Sequence, residues 1–164
     1  MRRLTVGPWT LEVDSEATSV AYEKVPQGAA AECGCTDCRN WIEQREIALP
    51  SEFSKVLREM GVDPSKETEI SEFEGGAVDP TLNRYTGEYL VIGRVISGPD
   101  CFEETEDGKG ATYKLKPFVS DFNVGVSSKL RWAMGQSYLP TLFPADSTAI
   151  LVFQAHAKRG AIYA

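Results

Sequence analysis

Trp9, Leu11 and Val13 alternate with Thr10, Glu12 and Asp14. An alternation of period two marks a strand with one apolar and one polar face. Gly7-Pro8 precedes it as a turn signal, so Leu4 to Val6 and Trp9 to Val13 predict a hairpin. A third strand is expected over Ser19 to Val25, with Val20 and Tyr22 on one side and Pro26-Gln27-Gly28 closing it. Ala29 to Cys33 then reads as a short small-residue segment leading into a cluster of cysteines.

The period changes at this point. Cys38, Trp41, Ile42 and Arg45 recur at helical spacing, which predicts a helix over Asp37 to Ala48 with Thr36 or Asp37 as its N-cap. Phe53, Val56, Leu57 and Met60 form a second stripe at i, i+3, i+4 and i+7. Ser51 is expected to cap that helix. Gly61 is expected to end it in the left-handed conformation, with Val62 touching Leu57. Asp63-Pro64 stops any continuation.

From Thr68 the pattern is again that of strands. Tyr85 to Ile96 is apolar on both faces around Tyr89-Leu90-Val91-Ile92, the mark of a central strand. Ser97-Gly98-Pro99-Asp100 breaks it, and the acid-rich tract Asp100 to Gly110 reads as a loop or hairpin tip. One further strand carries Tyr113 and Leu115, and another aligns Phe118, Ser120, Phe122 and Val124 on a common face. Thr148 to Ala155 is apolar on both sides, whereas Ser127 to Asp146 shows no regular period. The expected architecture is one α+β domain over residues 1–164. Its curled antiparallel sheet, a sandwich or open barrel, is interrupted after the third strand by a two-helix hairpin from Asp37 to Gly61.

Composition narrows the function classes. A chain of 164 residues can bury roughly 70% of its unfolded surface, so it needs no metal merely to own a core. Its net charge of −7 repels phosphate backbones, so nucleic acid is not an expected partner. No secretory leader is visible. The apolar run Ala149 to Phe153 falls far short of the ~20 residues a membrane span needs. The expectation is a protein of the cytoplasm with no membrane partner, where thiols stay reduced and serve metal or redox chemistry rather than a disulfide framework.

The densest chemistry is Cys33-Gly34-Cys35-Thr36-Asp37-Cys38. Cys33 and Cys35 share a side if that segment is extended. Cys38 falls in a first helical turn, where unpaired amides and the positive end of the helix favour thiolate, the form that binds zinc or attacks a disulfide. A structural zinc site takes four ligands, so the fourth is sought at Cys101, at His156 or at a nearby acid. Two other readings stand beside zinc: a thiol redox protein or small enzyme using Cys35 or Cys38, and three small side chains that simply pack the helix entry.

Other candidates are weaker. His156 is the only histidine, which excludes a histidine-rich metal site, and no G-x-S-x-G elbow accompanies it. The tract Asp100 to Asp107 lacks calcium-loop spacing. Gly75-Gly76 has no adjoining Lys-Ser or Lys-Thr to make a phosphate loop. Trp41, Tyr85 and Tyr89 have the spacing of ordinary core.

Cys33 through Asn40 resembles the C-x-C-x-x-C-x-N signature of a bacterial protein family with no assigned activity. The likeness continues at Leu57-Arg58-Glu59-Met60-Gly61-Val62-Asp63-Pro64. It returns at Tyr85-Thr86-Gly87-Glu88-Tyr89-Leu90-Val91-Ile92-Gly93, similar to that family's Y-x-G-x-Y-x-x-x-G strand. The resemblance implies a bacterial source and one intact module, and it carries over no catalytic residue. The function expected from the sequence is a non-catalytic binding or interaction module, with a protein or small molecule as partner. Its cysteine cluster is either structural or zinc-binding.

Overall fold

A computed structural model describes residues 1–73, 78–130 and 139–164. Gly75 and Gly76, and part of the irregular stretch Ser127 to Asp146, lie outside the described residues. The chain opens with a hairpin, β1 (Arg2–Val6) and β2 (Trp9–Val13). Four helices follow: α1 (Ser15–Lys24), α2 (Ala29–Cys33), α3 (Thr36–Ala48) and α4 (Ser51–Glu59). Next come β3 (Glu69–Phe73), the long β4 (Leu82–Ser97), β5 (Phe102–Glu104), β6 (Ala111–Tyr113), β7 (Lys116–Val119) and β8 (Phe122–Ser127). A short helix α5 (Leu139–Leu142) and β9 (Thr148–Lys158) complete the fold.

The main sheet runs β1-β2-β4-β9-β8-β7, with β3 also paired to β4, and all pairings are antiparallel. It is not closed into a barrel. The expected central strand is β4: it pairs with β9 along one edge, and β3 and β2 share the other. The β5–β6 pair forms a separate two-stranded sheet. Cys101, just before β5, presses its side chain against Gly125, where an added Cβ would lie 2.8 Å from its sulfur.

The expected third strand is a helix. The side chain of Asp14 accepts from the Ala17 amide at 2.9 Å and starts α1. Its buried face is Thr18, Ala21 and Tyr22, at i, i+3 and i+4, while Val20 is exposed. The helix has a purpose at the sheet. Between β3 and β2 the edge of β4 lacks a neighbouring strand, and α1 satisfies it with side chains. The Tyr22 hydroxyl donates to the Leu90 carbonyl and accepts from the Leu90 amide, each at 3.0 Å. The Thr18 hydroxyl accepts from the Ile92 amide at 3.0 Å. Tyr22→Phe strands both backbone groups of Leu90 in a buried place, an expected loss of about 1–3 kcal/mol measurable by urea denaturation. A change near zero would mean that water takes the hydroxyl's place.

Three smaller expectations are also corrected. Ala29 to Cys33 is a turn and a half of helix rather than a plain lead-in segment. The caps of α3 and α4 are Cys35 and Pro50, and the Ser51 hydroxyl donates to the Glu52 carboxylate instead of capping α4. The proposed strand through Phe118 and Val124 is two strands, because Ser120 adopts φ +44° and turns β7 back onto β8.

The end of α4 follows its expected chemistry. Gly61 takes φ +82°, and the Val62 amide reaches back to the Leu57 carbonyl at 2.9 Å. Phe53, Leu57 and Met60 face the core with Val56 half-buried beside them. The centre of that core is Phe153 of β9, whose ring meets those of Trp41, Tyr89, Phe53 and Phe122.

Candidate metal centre

The cysteine cluster sits where α2 hands over to α3. The last residue of α2 is Cys33, and Gly34 follows at φ +67° with its amide on the Ala30 carbonyl. No neighbour crowds Gly34, so its left-handed backbone, not space, asks for glycine there. That reversal folds Cys35 back toward Cys33. Cys35 is then extended and caps α3, its carbonyl accepting from the Arg39 amide and its sulfur from the Cys38 amide at 3.5 Å. Cys38 lies one turn in. All three sulfurs lie within 4.8 Å of one another, positioned to hold a metal ion.

The thiols differ in environment. Cys33 and Cys35 are exposed, and Cys38 is buried. The Cys38 amide pulls the Cys35 thiol below its ordinary range, helped by the neighbouring thiols and against some desolvation. Burial pushes the Cys38 thiol well up, and the adjacent Cys33 and Cys35 push in the same direction. Zinc bound by thiolates at about 2.3 Å in a tetrahedron sets sulfurs roughly 3.8 Å apart. Closing on such an ion would draw the sulfurs, which lie within 4.8 Å of one another, together by about 1 Å at most.

The two candidate fourth ligands lie elsewhere. Cys101 packs against Gly125 of β8, whose partner in β9 is Val152. The neighbouring Phe153 points to the opposite face and stacks on Trp41 of α3, so the sheet stands between Cys101 and the cluster. Burial, with Asp100 and Glu88 nearby, pushes the Cys101 thiol up to about 12. His156 lines a cavity with Ile47 and Ala48, at the far end of α3. That end is about 15 Å along the helix axis from Cys38. Asp37 accepts a hydrogen bond from the Tyr163 hydroxyl and does not belong to the sulfur group. Among the described residues, the chain brings together three sulfurs that could hold a metal ion, one donor fewer than a tetrahedral zinc site takes.

Behind the cluster is a buried polar network that no local pattern announces. The Asn40 side chain donates to the Tyr85 hydroxyl at 3.1 Å and to the Lys158 carbonyl at 3.0 Å, and it accepts from the Gly160 amide at 2.9 Å. The Tyr85 hydroxyl donates to the Asp37 carbonyl at 2.8 Å. Asn83 donates to the hydroxyls of Tyr163 and Tyr85, and Arg159 stacks over the Tyr163 ring at 4.0 Å. The first turn of α3 is thereby fastened to β4 and to the segment after β9.

The start of α2 is fastened by Glu67. Its backbone carbonyl accepts from the Ala29 amide, its carboxylate accepts from the Ala30 amide at 3.1 Å, and Arg45 pairs with it at 3.2 Å. Burial raises the Glu67 carboxyl, and Arg45 opposes that rise. Trp41, Tyr85 and Tyr89 are buried core, as their spacing predicts.

No helix among the described residues is long and apolar enough to cross a membrane. No protein-family model matches this chain, and no curated protein and no solved structure matches it, so the cluster's chemistry rests on its own geometry.

Proposed function

We propose that the chain is a non-catalytic, metal-binding interaction module in which Cys33, Cys35 and Cys38 hold one zinc ion. The observation that carries this reading is the convergence of three sulfurs within 4.8 Å at the start of a helix, where thiolate is favoured. The fourth position falls to water or to a donor from a partner. Bound metal would pin the α2–α3 junction, which the Asn40 network and Glu67 already hold from behind.

The resemblance to the C-x-C-x-x-C-x-N family, and with it a bacterial source, belongs to this proposal. Its signature residues have physical tasks here: Asn40 fastens α3 to the end of β9, and Tyr85 receives that same Asn40. Free thiols at all four cysteines fit a reducing compartment such as the cytoplasm. The acidic balance favours a protein or small-molecule partner over nucleic acid.

The test is metal analysis of protein purified without chelator and without nickel affinity. The expected result is about one equivalent of zinc per chain, and a melting temperature that falls by several degrees under strong chelation. Cys38→Ser should lose the metal. Metal-free protein whose melting ignores added zinc and chelator overturns the proposal.

A second reading has one observation in its favour: Cys35 is exposed and its partner Cys38 is buried within reach. Oxidation would join their two sulfurs, release two protons and pass two electrons to a disulfide oxidant such as glutathione disulfide. In metal-stripped protein, iodoacetamide should label Cys35 faster than Cys38. Rapid labelling of Cys38 at pH 6, or a reversible Cys35–Cys38 disulfide near glutathione potentials, replaces the zinc reading with the redox one.

A further inference from the structure

Glu69 of β3 and Glu88 of β4 stand directly opposite each other. Like charges so placed destabilise a sheet, and among the described residues neither is paired with a lysine or arginine. Both line a cavity of about 290 Å³ between the β3–β4 pair and the β5–β6 hairpin. Glu88 is only 4% exposed. One of its oxygens, Oε1, accepts from the Tyr113 hydroxyl at 2.5 Å. The other, Oε2, is buried with no hydrogen-bond partner among the described residues. Buried polar atoms are nearly always paired, so an orphaned carboxylate oxygen beside a cavity marks a place for a donor.

The walls indicate the donor's chemistry. Phe73, Phe102 and Tyr113 line the cavity, the last two meeting edge to face at 5.4 Å. Among the described residues no lysine, arginine or histidine lines it, and Arg84 stands over the Phe73 ring without joining the lining. Two carboxylates with aromatic walls suit an ammonium group carried on a short apolar stem, because the charge pairs with the acids while ring faces and edges accept the rest. A hydrated divalent ion, by contrast, asks for six or more oxygen ligands, and one oxygen of Glu88 is already committed to Tyr113.

We propose that this cavity is a binding site for a small organic cation, an alkylammonium, with Glu88 as its counter-ion and Glu69 as the second anionic wall. The site is separate from the cysteine cluster and does not depend on metal. Tyr113, 37% exposed, forms the side through which the ligand enters. The cation replaces a desolvated charge pair with a neutralised one. Desolvation raises the carboxyls of both Glu88 and Glu69, and the charge of Glu69 lifts Glu88 further.

That rise has a defined sign. Below the ordinary value of 4.5 both folded and unfolded chains hold the proton on Glu88, and folding bears no penalty. As pH climbs, the unfolded chain releases its proton first, and stability falls until the folded carboxyl has also titrated. Among the described residues, the groups facing Glu88 here are Glu69 from β3, Tyr113 from β6 and the Cys101 thiol. Glu88→Gln keeps an acceptor for Tyr113 and removes the charge, so it should fold, and should gain stability over wild type as pH rises.

The probe is n-butylammonium chloride at low ionic strength, followed by NMR at the Glu88 side-chain carboxyl and at the amides of Glu69 and Tyr113. The expected result is a saturable shift in wild type, a Glu88 titration midpoint lowered by the ligand, and affinity weakened about tenfold or more in Glu88→Gln. Parallel titrations use n-butanol, of similar size and uncharged, and calcium chloride. Equal binding of butanol overturns the role of charge. Saturable binding of calcium in place of butylammonium makes this a divalent-cation site instead, and no saturable shift with any of the three removes the site altogether.

Discussion

Phe153→Ala is expected to destabilise the protein by about 3–5 kcal/mol, the usual range for truncating a packed phenylalanine. The ring is fully buried and stacks on Trp41 and Tyr89, both at 5.5 Å, and on Phe122 at 5.9 Å. It also contacts Phe53 of α4 at 6.1 Å. One side chain thus joins α3 and α4 to three strands. Opposite it in β4 stands Gly87, where an added Cβ would lie 2.4 Å from the tip of the ring. The strand has given up a side chain to make room for this one. With the ring gone, the aromatic neighbours are held by their own strands and helices and cannot collapse into the space, so the cavity cost adds to the lost burial. Urea denaturation of the two proteins checks this. A loss under about 1 kcal/mol would mean that α3 and α4 do not pack on the sheet through Phe153.

Elements whose reason for existing is local were legible in the sequence. The stripe of α4 is an amphipathic repeat that ends in a glycine, and each of its signals acts within a few residues. The long β4 is apolar on both faces around Tyr89-Leu90-Val91 because both faces are covered there: every residue from Gly87 to Val91 is buried. The cysteine cluster was visible for the same reason, since a left-handed glycine and a helix start bring its sulfurs together across six residues.

Where the reading failed, a distant partner decided. Ser19 to Val25 alternates well enough for a strand, yet Thr18 and Tyr22 are wanted as hydroxyls on Leu90 and Ile92 of β4, some 70 residues away, and a helix sets them about 6 Å apart where a strand would spread them over about 13 Å. Phe118 to Val124 alternates too, and Ser120 turns the chain without the glycine or proline that usually announces a hairpin. Cys101 and His156 are plausible ligands by type, and the sheet and the length of α3 separate them from the cluster. The opposed Glu69 and Glu88 depend on a strand register that composition cannot supply.

Asn40→Ala is the second change expected to cost several kcal/mol, although it removes a single small polar side chain. Asn40 is fully buried, and its three hydrogen bonds reach β4, the end of β9 and Gly160 two residues beyond it. Alanine takes a partner from the Tyr85 hydroxyl at a buried bond, and from the Lys158 carbonyl and the Gly160 amide at partly buried ones. A buried group so stranded costs about 1–3 kcal/mol and a partly wetted one less, so the expected loss is about 2–4 kcal/mol. The effect should also travel to the cluster. Asn40 lies two residues after Cys38, in the turn whose Asp37 carbonyl is held by Tyr85, and the same network ties Tyr163 to Asp37. Loosening it frees the first turn of α3, so zinc affinity should fall together with stability while all three thiols remain in place. Cys33→Ser separates the two effects: it should weaken zinc binding and leave the stability of metal-free protein nearly unchanged, because Cys33 is exposed. Denaturation curves and zinc titrations on both variants measure this. An Asn40→Ala protein that melts like wild type would show that water restores the lost bonds. One that is destabilised yet binds zinc with full affinity would show that the network supports the sheet and not the cluster.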